Sequence, residues 1–201
     1  MSYTAIFGGT FNPPHIGHYE MLSELNGIGE IGEIWITPTR IPPHKVCDFL
    51  AGDSDRIEMC RRLAEDFNKA RLCLEEFERP GKSYTYDTVM LLKQKYPDRD
   101  FAFVCGGDML ATFEQWHKYG ELMHMLPFFV FRRADIEDSL FDEKIAEFRE
   151  MGMRVTVLDK KISAVSSTFI RNNIDRADRL LPEKIYDYII AGGIYNAGKQ
   201  A

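Results

Sequence analysis

The chain has 201 residues, 45% hydrophobic and 28% charged, with a formal net charge of −6 at pH 7. That length suffices for one domain whose core buries about 70% of the extended-chain surface, and the composition is that of a globular protein. The acidic balance argues against nonspecific nucleic-acid binding, which needs a basic face, and leaves room for a nucleotide, which needs only a few local cations.

Residues 3–7 form an apolar run that predicts a buried first strand, and residues 19–25 carry apolar side chains at helical spacing. Between them lies Gly8-Gly9-Thr10-Phe11-Asn12-Pro13-Pro14-His15-Ile16-Gly17-His18. Strand, glycine turn and helix in that order make an anion site, because the turn's N–H groups and the helix N-terminus face the same point. Glycine lets a phosphate approach without a Cβ in the way. His15 and His18, three apart, share one face of the first helical turn, where imidazoles can donate to phosphate oxygens. The plainer alternative is a proline-rich loop with surface histidines.

A second strand is expected at 33–37, followed by a stiff loop through Pro42-Pro43-His44-Lys45. A helix over 53–67 follows, with Ile57, Cys60, Leu63, Ala64 and Phe67 as its stripe, and a third strand at 71–75. Ser83-Tyr84-Thr85 opens a helix that runs to about Lys95, with Ser83 or Thr85 as cap. The continuous apolar run 101–105 is that of a central parallel strand. It ends in Gly106-Gly107-Asp108, from which a helix is expected through Trp116. Asp108 reads either as an N-cap or as an acceptor for ribose hydroxyls. Strands at 128–131 and 155–158 come next; Arg132-Arg133 ends the first of these, as solvated charge or ligand contact. Two helices close the chain, one from near Ser167 and one from Pro182 to Ile190, the latter capped by Gly192. Hydroxyls at 166–168 and Arg171 one turn later suggest an anion cradle or a capped helix with a surface arginine.

Strands alternating with helices predict an α/β fold: a single Rossmann-like, doubly wound parallel sheet with helices on both faces. Ligands in such folds bind beyond the C-terminal ends of the strands, which is where these candidates fall. One domain over 1–201 is expected, with a soft tail from about 195. Cys47, Cys60, Cys73 and Cys105 show no C-x-x-C spacing and read as free thiols. With no signal peptide and no apolar run long enough for a bilayer, the expected location is the cytoplasm, with no membrane and no nucleic acid as partner. The sequence leaves a homo-oligomer open.

GGTFNPPHIGH resembles the signature of the nucleotidylyltransferases with an HxGH motif, which transfer a nucleotide from ATP or CTP to a phosphate- or hydroxyl-bearing acceptor. It is neither a Walker P-loop nor the G-x-G-x-x-G fingerprint. Later segments are similar to those of one member family, the nicotinate-nucleotide adenylyltransferases. The PPHK loop resembles one whose lysine reaches the triphosphate, which implies that role for Lys45, with His44 beside the acceptor. The SYT-x-DT segment resembles one whose backbone grips a nicotinate carboxylate, implying Tyr84 and Thr85. The G-x-D…W pattern implies Trp116 over the pyridine ring and the His117 backbone N–H on the carboxylate. ISxxSSTxIR resembles an ATP-phosphate motif and implies Ser167, Thr168 and Arg171.

The resemblance thus implies ATP contacts at Gly8, Gly9, Thr10, Phe11, Gly106, Asp108 and Arg132. It implies His15 and His18 on the α- and β-phosphates, with Lys45 and Arg171 on the leaving group. The implied reaction joins ATP and nicotinate mononucleotide to give nicotinate adenine dinucleotide and pyrophosphate, with Mg²⁺ held mainly by ATP phosphates because it keeps its waters. Asn12 stands where many relatives carry Asp, Gly107 where Ala is common, and no Pro-Gly follows Arg132-Arg133. The rival acceptors are nicotinamide mononucleotide and phosphopantetheine. A class I aminoacyl-tRNA synthetase shares HIGH, but this chain is short and acidic for one. A noncatalytic nucleotide sensor on the same fold is the rival from another class.

Overall fold

The computed structural model describes residues 2–43 and 49–195. Six parallel strands form one sheet in the order β3-β2-β1-β4-β5-β6. The strands are β1 Tyr3–Gly9, β2 Ile31–Pro38, β3 Ala70–Leu72, β4 Phe101–Gly106, β5 Phe128–Arg133 and β6 Val155–Ile162. The helices among the described residues are α1 Ile16–Gly27, α2 Asp53–Ala64, α3 Thr85–Lys95, α4 Gly107–Leu110, α5 Tyr119–Met125, α6 Asp138–Glu150, α7 Ser167–Asn172 and α8 Glu183–Ala191.

Two apolar layers follow from the period-2 alternation of strand side chains. Ala5, Phe7, Ile34, Ile36, Ala102, Val104, Phe129 and Phe131 join one layer, under α1, α2 and α8. Ile6, Trp35, Phe103, Cys105, Phe128 and Val130 join the other, under α3, α5 and α6. The doubly wound α/β sheet is therefore the one expected. Because β1 pairs with β2 on one side and β4 on the other, the chain leaves β1 in both directions. A crevice opens at the C-terminal ends of β1 and β4, the topological switch point.

Several elements depart from the sequence reading. The helix expected through Trp116 stops at Leu110, and a 3₁₀ turn at Phe113–Gln115 follows. Thr112 breaks it: its backbone N–H and its hydroxyl both turn back to the Met109 carbonyl, the local competition typical of hydroxyl side chains. Trp116 itself is extended, with φ −72° and ψ 145°. Helices α5 and α6 fall on stretches to which the sequence reading assigns no element, although Phe141, Ile145 and Phe148 make a buried stripe on α6. Helix α2 ends at Ala64, and its buried face is Arg56, Met59, Cys60 and Leu63, so a charged residue stands where Ile57 was expected. Strand β3 is shorter than expected because the chain turns between Leu74 and Phe77. Tyr195 is buried in the first layer, and the rest of the tail expected from about 195 lies outside the described residues. Cys60, Cys73 and Cys105 are free buried thiols, and burial pushes the Cys60 and Cys105 thiols far up, away from the reactive thiolate.

Candidate active site

The turn after β1 is shaped by three close contacts. A Cβ on Gly9 would lie 3.0 Å from the Phe11 ring, so glycine there lets Phe11 fold back under the turn. Phe11 takes φ +47° and is buried, with its ring edge-on to His18 at 5.0 Å. A Cβ on Gly17 would lie 3.1 Å from the Ser163 carbonyl and 3.2 Å from the His15 ring, which is why position 17 must be small.

His15 caps α1 and His18 is its third helical residue. The His15 backbone N–H donates to His18 Nδ1 at 3.1 Å. With Nδ1 occupied as an acceptor, the proton of a neutral His18 ring sits on Nε2. The two rings lie with centroids 3.8 Å apart, tilted 35° to each other. No acidic residue lies in the first turn of α1, so no fixed negative charge there opposes an anion.

The β6–α7 segment clasps this turn from the other side. Arg171 Nη1 donates to the Asn12 carbonyl at 2.8 Å and Nη2 to Thr168 Oγ1 at 3.1 Å, and Ser167 Oγ donates to the Pro13 carbonyl at 2.8 Å. Glu20 on α1 accepts from both the N–H and the hydroxyl of Ser163 at 2.8 and 2.7 Å. Behind the turn, buried Asn12 donates from its amide to the Phe49 carbonyl and accepts on Oδ1 from the Ala51 N–H and the Tyr195 hydroxyl. An aspartate there could not donate to Phe49, so the asparagine suits this chain's own surroundings.

After β4, a Cβ on Gly107 would meet the Phe141 ring at 2.7 Å and the Phe131 carbonyl at 3.3 Å. Phe141 fills the place that an alanine methyl would take. Asp108 lies 3.6 Å from Arg133 Nη1, and Arg133 grips Asp135 with Nε and Nη2 at 3.0 and 3.2 Å. The assignment of Arg132 to the ligand side is corrected here. Its guanidinium bonds Asp142 at 2.7 Å and lies 4.6 Å over Phe141, whereas Arg133 lines the cleft. Strand alternation explains the difference: Arg133 shares the parity of Phe131, which also lines the cleft.

One cleft of about 630 Å³ collects these groups, within the usual range for ligand pockets. Gly8, Gly9, Thr10, Phe11, His15, His18, Gly106, Asp108, Ser167, Thr168 and Arg171 line it, as do Tyr84, Thr85, Trp116 and His117. His44 and Lys45 lie outside the described residues. Trp116 packs edge-on against Phe103 at 5.9 Å, and the His117 ring lies 4.6 Å from Tyr84. Tyr84 caps α3 in extended conformation, so the N–H groups of the following turn lack intrahelical partners. Among the described residues, no group of three or more His, Cys, Asp or Glu side chains could hold a metal ion.

Glu76, Arg56 and Glu20 carry no signal that marks them as site residues in the sequence, whereas Arg133 is one of the two arginines left open there. Glu76 is buried behind α3, lines the cleft and accepts from the Thr88 hydroxyl at 2.8 Å. Burial pushes its carboxyl above the ordinary 4.5, although hydrogen bonds from Thr88 and Ser83 and the charge of Arg79 pull the other way. A carboxyl raised by folding contributes stability that is complete below the unfolded value and is lost as pH rises through the folded one. The unfolding temperature of Glu76→Gln should therefore change less than the parent's as pH rises from about 4.5 toward neutrality. Superimposable pH profiles for the two proteins would remove Glu76 from this account.

The sequence model of the cytidylyltransferase-like family matches residues 6–173. The nicotinate-nucleotide adenylyltransferase of Bacillus subtilis is 33% identical over 198 residues, covering 98% of this chain and all of the relative. The nicotinic acid mononucleotide adenylyltransferase of Plasmodium falciparum, in structures complexed with NaAD and with APC, superposes with TM-scores of 0.79 and 0.78, at 21% identity and 98% coverage of both chains. This last likeness is one of fold. Sequence and fold agree over nearly the whole chain, and the protein belongs to the cytidylyltransferase-like family, among its nicotinate-nucleotide adenylyltransferases.

Proposed function

We propose that the protein transfers AMP from ATP to nicotinate mononucleotide, releasing pyrophosphate and forming nicotinate adenine dinucleotide for NAD synthesis. The observation that carries this reading is the single cleft. It offers a histidine pair at a helix N-terminus beside glycines and Arg171. It also offers an aromatic wall, Trp116, beside the N-terminus of α3. The first suits a polyphosphate and the second a flat ring bearing a negative charge.

In this mechanism the acceptor's phosphate oxygen attacks the α-phosphorus of ATP in line, and pyrophosphate departs on the opposite side. The acceptor oxygen is already anionic, so no enzymatic base is required. Positioning and charge neutralisation carry the rate. His18 donates from Nε2 to the oxygens of the reacting phosphates, His15 stands against it on the same side, and Arg171 with Lys45 draws charge onto the leaving group. Gly8 and Gly9 admit the phosphates to the turn, and Asp108 accepts from ribose hydroxyls. The donor set fits a Mg²⁺ ion carried on ATP: the described cleft presents N–H donors rather than an oxygen cage. When bound, the ion neutralises phosphate charge. No described helix is long and apolar enough to cross a membrane, and the buried free thiols fit a reducing compartment such as the cytoplasm.

The test is direct. Incubated with ATP, Mg²⁺ and nicotinate mononucleotide, the protein should release pyrophosphate in step with formation of the dinucleotide. Binding of ATP with no pyrophosphate release for any acceptor would leave only the sensor reading.

A further inference from the structure

Arg56 is the largest fully buried side chain among the described residues. A guanidinium has five N–H donors, and here each has an acceptor. Nε donates to the Ala51 carbonyl at 3.3 Å. Nη1 donates to the carbonyls of Thr10, at 3.3 Å, and Thr39. Nη2 donates to the Arg40 carbonyl at 3.1 Å and to Asp53 Oδ1 at 2.6 Å. These acceptors lie on three separate segments: the turn after β1, the loop after β2, and the entry to α2. Four of the five are backbone oxygens. Asp53 is the one carboxylate among them; it is half-exposed and is also shared with Arg40 at 3.6 Å.

Stability alone is a poor reason to keep such a group. Burying a charge costs several kcal/mol, and apolar replacements are often no worse. What the planar fork supplies that an apolar side chain or a lysine cannot is a fixed relative placement of several chain segments. Two of those segments are the walls of the cleft: Thr10 belongs to the phosphate turn, and Thr39 leads to Pro42 and Pro43, which line the same cleft. We propose that Arg56 is a positioning residue for the transfer reaction, locking the turn after β1 and the loop after β2 in one relative setting from beneath. It touches no substrate; it acts through the Thr10, Thr39 and Arg40 backbone. This inference rests on the proposed adenylyl transfer.

The experiment compares the parent with Arg56→Lys, which keeps the charge but has three donors, and with Arg56→Met, which keeps the length. Displacing one wall of a reacting site by about 1 Å costs about 10²-fold in rate, so kcat of folded Arg56→Lys should fall by roughly that factor. KM for the acceptor should change less than kcat, because Arg56 reaches the start of α3 only indirectly, through Arg40 and the paired Ile41–Ser83 hydrogen bonds. Free guanidinium added to Arg56→Ala should restore turnover, and methylammonium, with the same charge but no planar fork, should not. The dissociation constant for ATP alone, which needs no acceptor, should rise by about 10-fold in the variants. The parent's own turnover tests the reaction and the ratio of variant to parent tests Arg56, so the two can fail separately; ATP binding reports on Arg56 even if the acceptor is wrong. Parent-like kcat and ATP affinity in any folded variant would overturn the proposal. So would failure of all the variants to fold, which would make Arg56 a scaffold residue instead.

Discussion

His18→Ala should lower kcat by about 10²–10³, the scale for losing one preorganised donor to charge developing in the transition state, while ATP affinity changes far less. The geometry adds a control. His18 Nδ1 also receives the His15 backbone N–H, so alanine removes a helix-capping acceptor worth about 1 kcal/mol together with the Nε2 donor. His18→Asn places a side-chain oxygen near the former Nδ1 and nothing at Nε2. It should recover the thermal stability lost in His18→Ala and none of the rate. If His18→Asn instead regains most of the turnover, the effect lies in capping and the donor role is wrong. His15→Ala is expected to match His18→Ala, since the two ring centroids are 3.8 Å apart and both rings are proposed to bear on the phosphates.

The second large effect separates nicotinate from nicotinamide mononucleotide. The donors we propose for the acceptor's carboxylate are backbone N–H groups, at the start of α3 around Thr85 and at His117 beyond Trp116. A carboxylate accepts from both. An amide turns its NH₂ toward one of them, leaving two donors face to face. A hydrogen bond to a charged group is worth about 1.5–3 kcal/mol, so two of them should favour the acid by roughly 10²-fold or more in kcat/KM. Glu76 stands nearby, buried and bonded to the Thr88 hydroxyl. Trp116→Ala should depress both acceptors alike, because stacking, worth about 1–3 kcal/mol, does not sense the substituent. Measuring kcat/KM for both mononucleotides in the parent and in Trp116→Ala decides it. Equal efficiencies in the parent would overturn the acceptor assignment and leave adenylyl transfer standing.

Much of this was legible in the residues because a buried parallel strand writes itself as an unbroken apolar run, as at Phe101–Gly106, and because glycines and prolines punctuate the functional turns. The illegible parts depended on the third dimension. The break before Trp116 comes from a threonine competing for one carbonyl, a contest that propensity does not announce. The choice between Arg132 and Arg133 required knowing which side of β5 faces the cleft; alternation alone says only that the two differ. Arg56 could have been noticed: once the α2 stripe is read as Arg56, Met59, Cys60 and Leu63, a charge sits at a core position, and a core charge demands partners. Which partners, forty-six residues away at Thr10 in one case, no local pattern reveals.

The bond from the Tyr195 hydroxyl to Asn12 joins residues 183 apart in the chain, and Asn12 in turn presents the carbonyl that Arg171 holds. On a ribosome adding about 5–20 residues per second, roughly 10–40 s pass between synthesis of the two ends of that 183-residue span. For about the first half of that interval β1 and the glycine turn exist without β4, for most of it without Arg171, and to its end without Tyr195. The first segment to be made is therefore among the last to reach its working shape. A growing chain should emerge with no adenylylating activity and acquire it in one late step, so that ribosome-stalled fragments ending before Tyr195 remain inactive even when their sheet has formed.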